Sequence, residues 1–485
     1  MLFIQSNSLA LSLNKGERLR LLDALAAGGL TPLIRSARRR FFQLLTAQGG
    51  DAAFVANAAS ELERECAARQ ESGEEVAYTP GELFCADDCV LSLVFGESAE
   101  EGVRAIVVYS VETAEPLTRL DRFCRDVRAA LIEIREEQGA ASATESKAEP
   151  PGWQTRAGRL PQGLARFVAM QPADFVRAAA AFRGGRELTR ASELLEEHSV
   201  RSFLRRVQEM RREGYTPRRL FTEARTLGGI SVENMLEAGL LEREVRVSCR
   251  KSGHALFDLP SSDSLAAITI SKAKCSQCAA PVADEVIEET INPTRLAVSL
   301  LEDGRWLSNR VYKIVRSLGV PDSEIATGPA SAHGESSLAV EVCGNSFLFV
   351  TRDGDVTPSF CRRVVEVVEE TEATHLVVVI TGNVEDEGRL RLYEFAWRRA
   401  RDGQDLGVTL IEGLGGARAQ IERSFEGAVH RELSHNLFTL DAALGFSAGN
   451  FVLDWFKLVK ASGAKKQAAD IHTPSLVDLN RQVAS

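Results

Sequence analysis

Between Ser337 and Ile411 the spacing of apolar residues changes in an order that few folds accommodate. Strands are predicted over residues 337–343 and 346–351, separated by Gly344-Asn345, a pair that tolerates the left-handed backbone of a tight hairpin turn. A helical period follows over 359–370, a wholly apolar strand over 375–381, a second helix over 389–401 and a strand near 407–411. Strands joined through a helix run parallel. This order of hairpin, helix, strand, helix, strand therefore calls for an α/β domain.

The remainder of the 485 residues is too long for one core, and three or four domains are expected. Upstream, a helical period runs over 19–27. A second helix is predicted around Ile34, Phe41, Phe42 and Leu45, and a third over 52–69. Apolar strands at 90–95 and 105–111 and a helix over 118–137 complete an N-terminal α/β unit. The polar, Ala-, Ser-, Glu- and Pro-containing stretch 139–152 reads as a flexible linker. Phe123-Cys124-Arg125 after the second of these strands is echoed by Phe360-Cys361-Arg362 after the C-terminal hairpin.

No apolar run approaches the ~20 residues of a membrane helix, and residues 1–13 alternate apolar with polar, without the basic start of a signal peptide. A cytoplasmic location with no membrane partner is the expectation. Nine cysteines at irregular spacing fit reduced thiols better than a disulfide framework. The net charge of −10 argues against indiscriminate nucleic-acid binding, so any phosphate-binding face must be local.

One such face is indicated. Residues 160–244 are helical in pattern, and 200–226 carry eight arginines against three glutamates. Arg205, Arg206, Arg211, Arg212, Arg218 and Arg219 are the candidates for tracking a phosphate backbone; a solvated helix laced with Glu–Arg pairs is the alternative. A helix over 231–241 ending at Gly239, then a strand at 245–247, is similar to the last helix and wing of a winged helix.

Cys275-Ser-Gln-Cys278 is a two-residue knuckle of the kind that places both sulfurs on one turn. Its counterpart, Cys249-Arg-Lys-Ser252-Gly-His254, has serine where a second cysteine is expected, and His254 is the candidate substitute. The segment resembles a zinc ribbon following a winged helix. Cys249, His254, Cys275 and Cys278 are then the implied ligands of a structural zinc ion, or the ribbon persists through its hairpins without metal. Asp258 and Asp263 read as turn residues.

The C-terminal pattern, from about residue 293 to 412, resembles a restriction-endonuclease-like domain of the PD-(D/E)xK type, Mrr branch. That resemblance implies an acid early on the first hairpin strand and an acid-x-lysine triplet on the second, which together bind Mg²⁺ and activate water. In this chain the triplet position falls on Val350-Thr351-Arg352, and valine cannot bind a metal. Glu335, Glu341 and Asp353 are the candidate displaced carboxylates, with Asp353 and Asp355 beside Gly354 also reading as turn residues. Mg²⁺ is implied only if the domain is an active nuclease. Gly413-Leu-Gly-Gly416 lacks the context of a phosphate loop, and His430 and His435 miss metalloprotease spacing.

The expected fold class is therefore a multi-domain α/β protein. It has an N-terminal α/β domain (1–138), a linker (139–159) and a helical, winged-helix-like region (160–247). A zinc-ribbon-like segment (248–282), a restriction-endonuclease-like domain (283–425) and a helical tail (426–485) follow. Loss of ligands in two modules points to a noncatalytic nucleic-acid-binding or assembly subunit, with DNA or other protein subunits as partners. A bacterial phage-defence or DNA-maintenance system is the setting the resemblance implies. A metal-dependent DNA endonuclease with displaced carboxylates and a pure protein-binding scaffold are the alternatives.

Overall fold

The structure, a computed structural model, describes residues 1–37, 80–86, 88–96, 102–141, 152–155, 162–172, 186–212, 231–259, 274–281, 286–329, 334–444 and 447–458. The protein is mixed α/β and divides into two compact units. The first comprises residues 1–160 with 342–344 and 422–485; the second comprises 161–341 and 345–421. The expected helix over 52–69 and residues Phe41, Phe42 and Leu45 lie outside the described residues. No helix among the described residues is long and apolar enough to cross a membrane.

In the first unit, β1 (Leu2–Leu9), α1 (Lys15–Ala27), β2 (Gly81–Ala86), β3 (Cys89–Phe95), β4 (Val103–Ser110), α2 (Pro116–Ala141) and β5 (Gln154–Thr155) form one sheet and its covering helices. The sheet order is β2-β3-β4-β1-β5. The alternation at the N terminus is a strand, β1, paired antiparallel with β4 from Leu2–Ser110 to Leu9–Val103. Asn14 and Glu17 cap α1 reciprocally, which satisfies amide groups the first turn leaves open. Leu21, Leu22 and Leu25 of α1 and Phe123, Val127 and Leu131 of α2 are buried in one core with the sheet. The expected linker ends sooner than its composition suggests. Gln154 and Thr155 add to the sheet opposite Ser8 and Asn7, and the Trp153 indole donates to the Cys124 carbonyl at 2.9 Å.

The second unit begins with α3 (Gln162–Ala169), α4 (Arg186–Leu194), α5 (His198–Arg212) and α6 (Val232–Glu237). Next come β6 (Leu241–Ser248), β7 (Ala255–Leu259) and β8 (Val286–Pro293), ordered β7-β6-β8 and all antiparallel. Ser231 caps α6, and Gly239, at φ 69°, takes the left-handed conformation that ends it. The strand expected at 245–247 is the central strand of this sheet and runs directly into Cys249.

After α7 (Arg295–Glu302) and α8 (Arg305–Ser317), the C-terminal sheet contains β9 (Ile325–Thr327), β10 (Glu335–Val342), β11 (Asn345–Arg352), β12 (His375–Ile380) and β13 (Gly407–Glu412). Helix α9 (Pro358–Thr371) links β11 to β12, and α10 (Asp386–Arg401) links β12 to β13. The order is β13-β12-β11-β10-β9; β11, β12 and β13 are mutually parallel, as the helical connections require, and β9 is antiparallel to β10. The hairpin turn is Cys343-Gly344, with φ of 50° and 77°, one residue earlier than the Gly-Asn pair suggests. Nearly every position of β10 and β11 is buried, and that burial sets the register in preference to turn propensity.

Segments expected as separate domains, 160–247, 248–282 and 283–425, thus fall largely within this one unit. Leu164 and Phe167 of α3 join Val364 and Val368 of α9 and Leu376 and Val378 of β12 in a single core. Asn309 of α8 donates to the Ser192 hydroxyl of α4 at 2.8 Å, and Arg310 pairs with Glu193 and Glu196. Short helices bury little by themselves and are held by this larger sheet domain. Phe123–Cys124 and Phe360–Cys361 do occupy comparable places, buried in the helix that follows a central strand.

Candidate metal centre and carboxylate network

The loop joining β6 to β7 and the segment ahead of β8 have the same backbone design. The Cys249 amide donates to the His254 carbonyl at 2.9 Å, and the Gly253 amide returns to the Cys249 carbonyl at 2.7 Å. Likewise the Cys275 amide donates to the Ala280 carbonyl at 2.8 Å, and the Ala279 amide to the Cys275 carbonyl at 2.9 Å. Gly253 and Ala279 both take positive φ, 68° and 54°. In this superposed pattern Ser252 stands where the second knuckle has Cys278.

Sulfur atoms of Cys249, Cys275 and Cys278 lie within 4.8 Å of one another. The Cys249 and Cys278 sulfurs are 3.4 Å apart, and the Ser252 hydroxyl is 3.6 Å from the Cys275 sulfur. Zinc–thiolate bonds of about 2.3 Å place sulfurs of one tetrahedron about 3.8 Å apart, so this donor set fits a single zinc ion with Ser252 at the fourth vertex. His254 does not fill that role. It is exposed, its ring is absent from the converging ligand atoms, and its main chain instead closes the knuckle. The Ser252 hydroxyl and amide draw the Cys249 thiol down to about 6, and the Ser252 hydroxyl with the Cys278 amide draws the Cys275 thiol below its ordinary range. Asp258 is a strand residue, not a turn residue. It accepts both arms of Arg246 opposite it on β6, at 2.8 and 3.3 Å. Asp263 lies outside the described residues.

The hairpin carboxylates are separated. Glu335 heads β10 and is buried; Arg352, the last residue of β11, donates to it at 2.7 Å, and Arg363 of α9 grips it through Nε at 3.0 Å and through Nη2. Arg352 also lies over the Phe360 ring, 5.3 Å from its centroid. Val350, at the triplet's acid position, is in the apolar core.

Asp353 sits in the bend after β11 as expected, but its side chain is turned inward and is 7% exposed. It accepts from Thr381 Oγ1 at 2.7 Å, from Trp306 Nε1 at 3.4 Å and from Arg205. Arg201 lies 3.5 Å away, stacks over Trp306 and donates to the carbonyls of Leu195 and Glu196 at 2.6 and 2.8 Å. Burial lowers the Arg201 pKa and the Asp353 charge offsets part of that shift. Asp355 does behave as a turn residue, accepting from the Asn383 amide at 2.7 Å.

Glu341 lies at the other end of β10, about 20 Å along the strand from Glu335. It is one step beyond the Val340–Ile325 pair and so faces Glu324; its Oε2 is buried without a hydrogen-bond partner. Burial, reinforced by the Glu324 charge, pushes its carboxyl up to about 7. Among the described residues, the cysteine cluster is the one group of three or more such ligands at metal-binding separation. Glu335 and Glu341 lie too far apart on β10 to share one ion.

The basic run is also divided. Arg205 is committed to Asp353, whereas Arg206 is exposed on the same helix. Arg211 and Arg212 end α5, and Arg218 and Arg219 lie outside the described residues. Arg201 and Arg363 were not singled out by charge counting, because only the tertiary contact distinguishes a buried arginine from a solvated one. The cysteine-plus-three position of Ser252 is the one sequence signal that marks the fourth vertex. In comparisons with protein-family models, curated proteins and solved structures, nothing matches this chain.

Proposed function

We propose that this chain is a noncatalytic subunit of a nucleic-acid-handling assembly. In this reading a restriction-endonuclease-like sheet and a zinc-held ribbon serve as docking surfaces and not as a reaction centre. The order of the β10–β11 hairpin, helix α9 and parallel strand β12 is what supports the restriction-endonuclease-like reading. The observation that carries the noncatalytic reading is the arginine lock on Glu335. A metal-dependent nuclease needs that acid free to bind a cation, and here two guanidiniums hold it. Arg352 occupies the lysine position of the triplet, and an arginine stays charged and cannot act as a base at neutral pH.

Cys249, Cys275 and Cys278 would hold zinc, which would tie the two knuckles together and fix the three-stranded sheet. Arg206 is exposed on α5, and the arginines that follow it in sequence make this stretch the proposed place of phosphate contact.

A titration of duplex DNA against the full chain, at low and moderate salt with Mg²⁺ present, tests the reading. Binding that weakens steeply with salt and leaves DNA intact is expected. Mg²⁺-dependent cleavage that disappears in Glu335→Gln overturns the noncatalytic reading, and absence of binding at low salt overturns the nucleic-acid reading in favour of protein docking alone.

A further inference from the structure

Helix α10 turns Gly388, Leu392 and Phe395 toward the core. At about 100° per residue, the stripe diametrically opposite contains Leu390, Tyr393 and Trp397, where an outer helix face is ordinarily polar. These side chains are 59%, 46% and 65% exposed. Arg401 extends the stripe with its guanidinium 5.2 Å from the Trp397 ring centroid, and Asp386 begins it one turn before Leu390. The steps from 386 to 390, 393 and 397 are those of the apolar seam in paired helices.

The ends of the stripe carry opposite charge. The first turn is acidic, with Asp386 and Glu387, and the last is basic, with Arg398, Arg399 and Arg401. Glu387 is engaged by Arg391, and Arg389 by Glu412. Asp386 and Arg401 are exposed and have no ion-pair partner among the described residues. About the midpoint between Tyr393 and Glu394 the stripe is self-complementary. Asp386 and Arg401 are equidistant from that point, as are Leu390 and Trp397.

We propose that α10 is a self-association surface, on which a second copy of this chain packs its own α10 antiparallel across a two-fold axis at Tyr393–Glu394. Leu390 then meets Trp397 of the second copy, Asp386 meets its Arg401, and the Tyr393 hydroxyl donates to its Glu394. Antiparallel packing also sets each helix's positive end beside the other's negative end. Such an interface is isologous and closed, which limits association to a dimer. A 16-residue helix is about 24 Å long, so the contact is smaller than a permanent interface and the dimer is reversible.

Sedimentation velocity on the full chain, over a concentration series of about two decades, reads this directly. The wild type is expected to pass from one copy to two, and Trp397→Glu to remain at one copy with an unchanged circular-dichroism spectrum. Asp386→Arg and Arg401→Asp are each expected to raise the dissociation constant roughly tenfold, and their combination to restore it to within about threefold. A wild type that stays monomeric, or a Trp397→Glu variant that dimerises as well as wild type, overturns the proposal. So does a monomer whose salt-sensitive binding of single-stranded DNA is lost in Trp397→Ala, which would assign the stripe to base stacking. None of these outcomes depends on whether the protein binds duplex DNA through α5, so the two readings fail separately.

Discussion

Glu341 makes the stability of the second unit pH-dependent in a direction that can be worked out. Its carboxyl ionises at about 7 in the folded protein, against 4.5 for an ordinary glutamate, because burial and then the facing Glu324 charge oppose the anion. A raised carboxylate pKa contributes stability that is fully present below pH 4.5 and lost as the pH rises through 7. Each pH step in that window amounts to about 1.4 kcal/mol, so the complete loss is about 3 kcal/mol. The residue is 5% exposed, and solvent screening removes little of this. Glu341→Gln has nearly the same shape and cannot ionise. Urea unfolding at pH 5 and pH 8, followed by tryptophan fluorescence, should show the wild type losing about 2 to 3 kcal/mol more than the variant over that interval. All other titrating groups are shared, so the difference isolates residue 341. Glu324→Gln removes the facing charge without removing the burial, and should recover only the smaller part. Parallel pH profiles for wild type and Glu341→Gln would refute the reasoning.

Asp353→Asn should destabilise the same unit by about 3 kcal/mol, because it leaves Arg201 buried without a counter-charge; a loss below about 1 kcal/mol in urea titration would show the network to be dispensable. Purified protein should contain one zinc per chain, and Ser252→Cys should raise zinc affinity at least roughly tenfold in competition with a chromophoric chelator, since it replaces the weak hydroxyl donor at the fourth vertex with a thiolate. Unchanged affinity would mean that position 252 does not face the ion.

The local alternation of strand and helix was legible because it depends on spacing alone. The β10–β11 hairpin, α9, β12, α10 and β13 all appear where the apolar periods place them, with limits shifted by a residue or a few. The paired cysteines were legible as a cluster because knuckle geometry is local. By contrast, β2 has too short an apolar run to stand out, and β5 is held by its pairing with β1 and not by its own composition.

What each charged residue does was decided only by the tertiary structure. The residues 201, 205 and 206 look equivalent along the chain, yet Arg201 and Arg205 meet Asp353 from a bend almost 150 positions away while Arg206 stays at the surface. Glu335, Glu341 and Asp353 read alike as candidate metal ligands, and each has a different fate because its burial and its neighbours come from elements remote in sequence. Hydrophobic period acts over one or two turns and can be read from the sequence by itself. Charge pairing and desolvation act across space, and their outcome is set once the sheet has brought distant segments together.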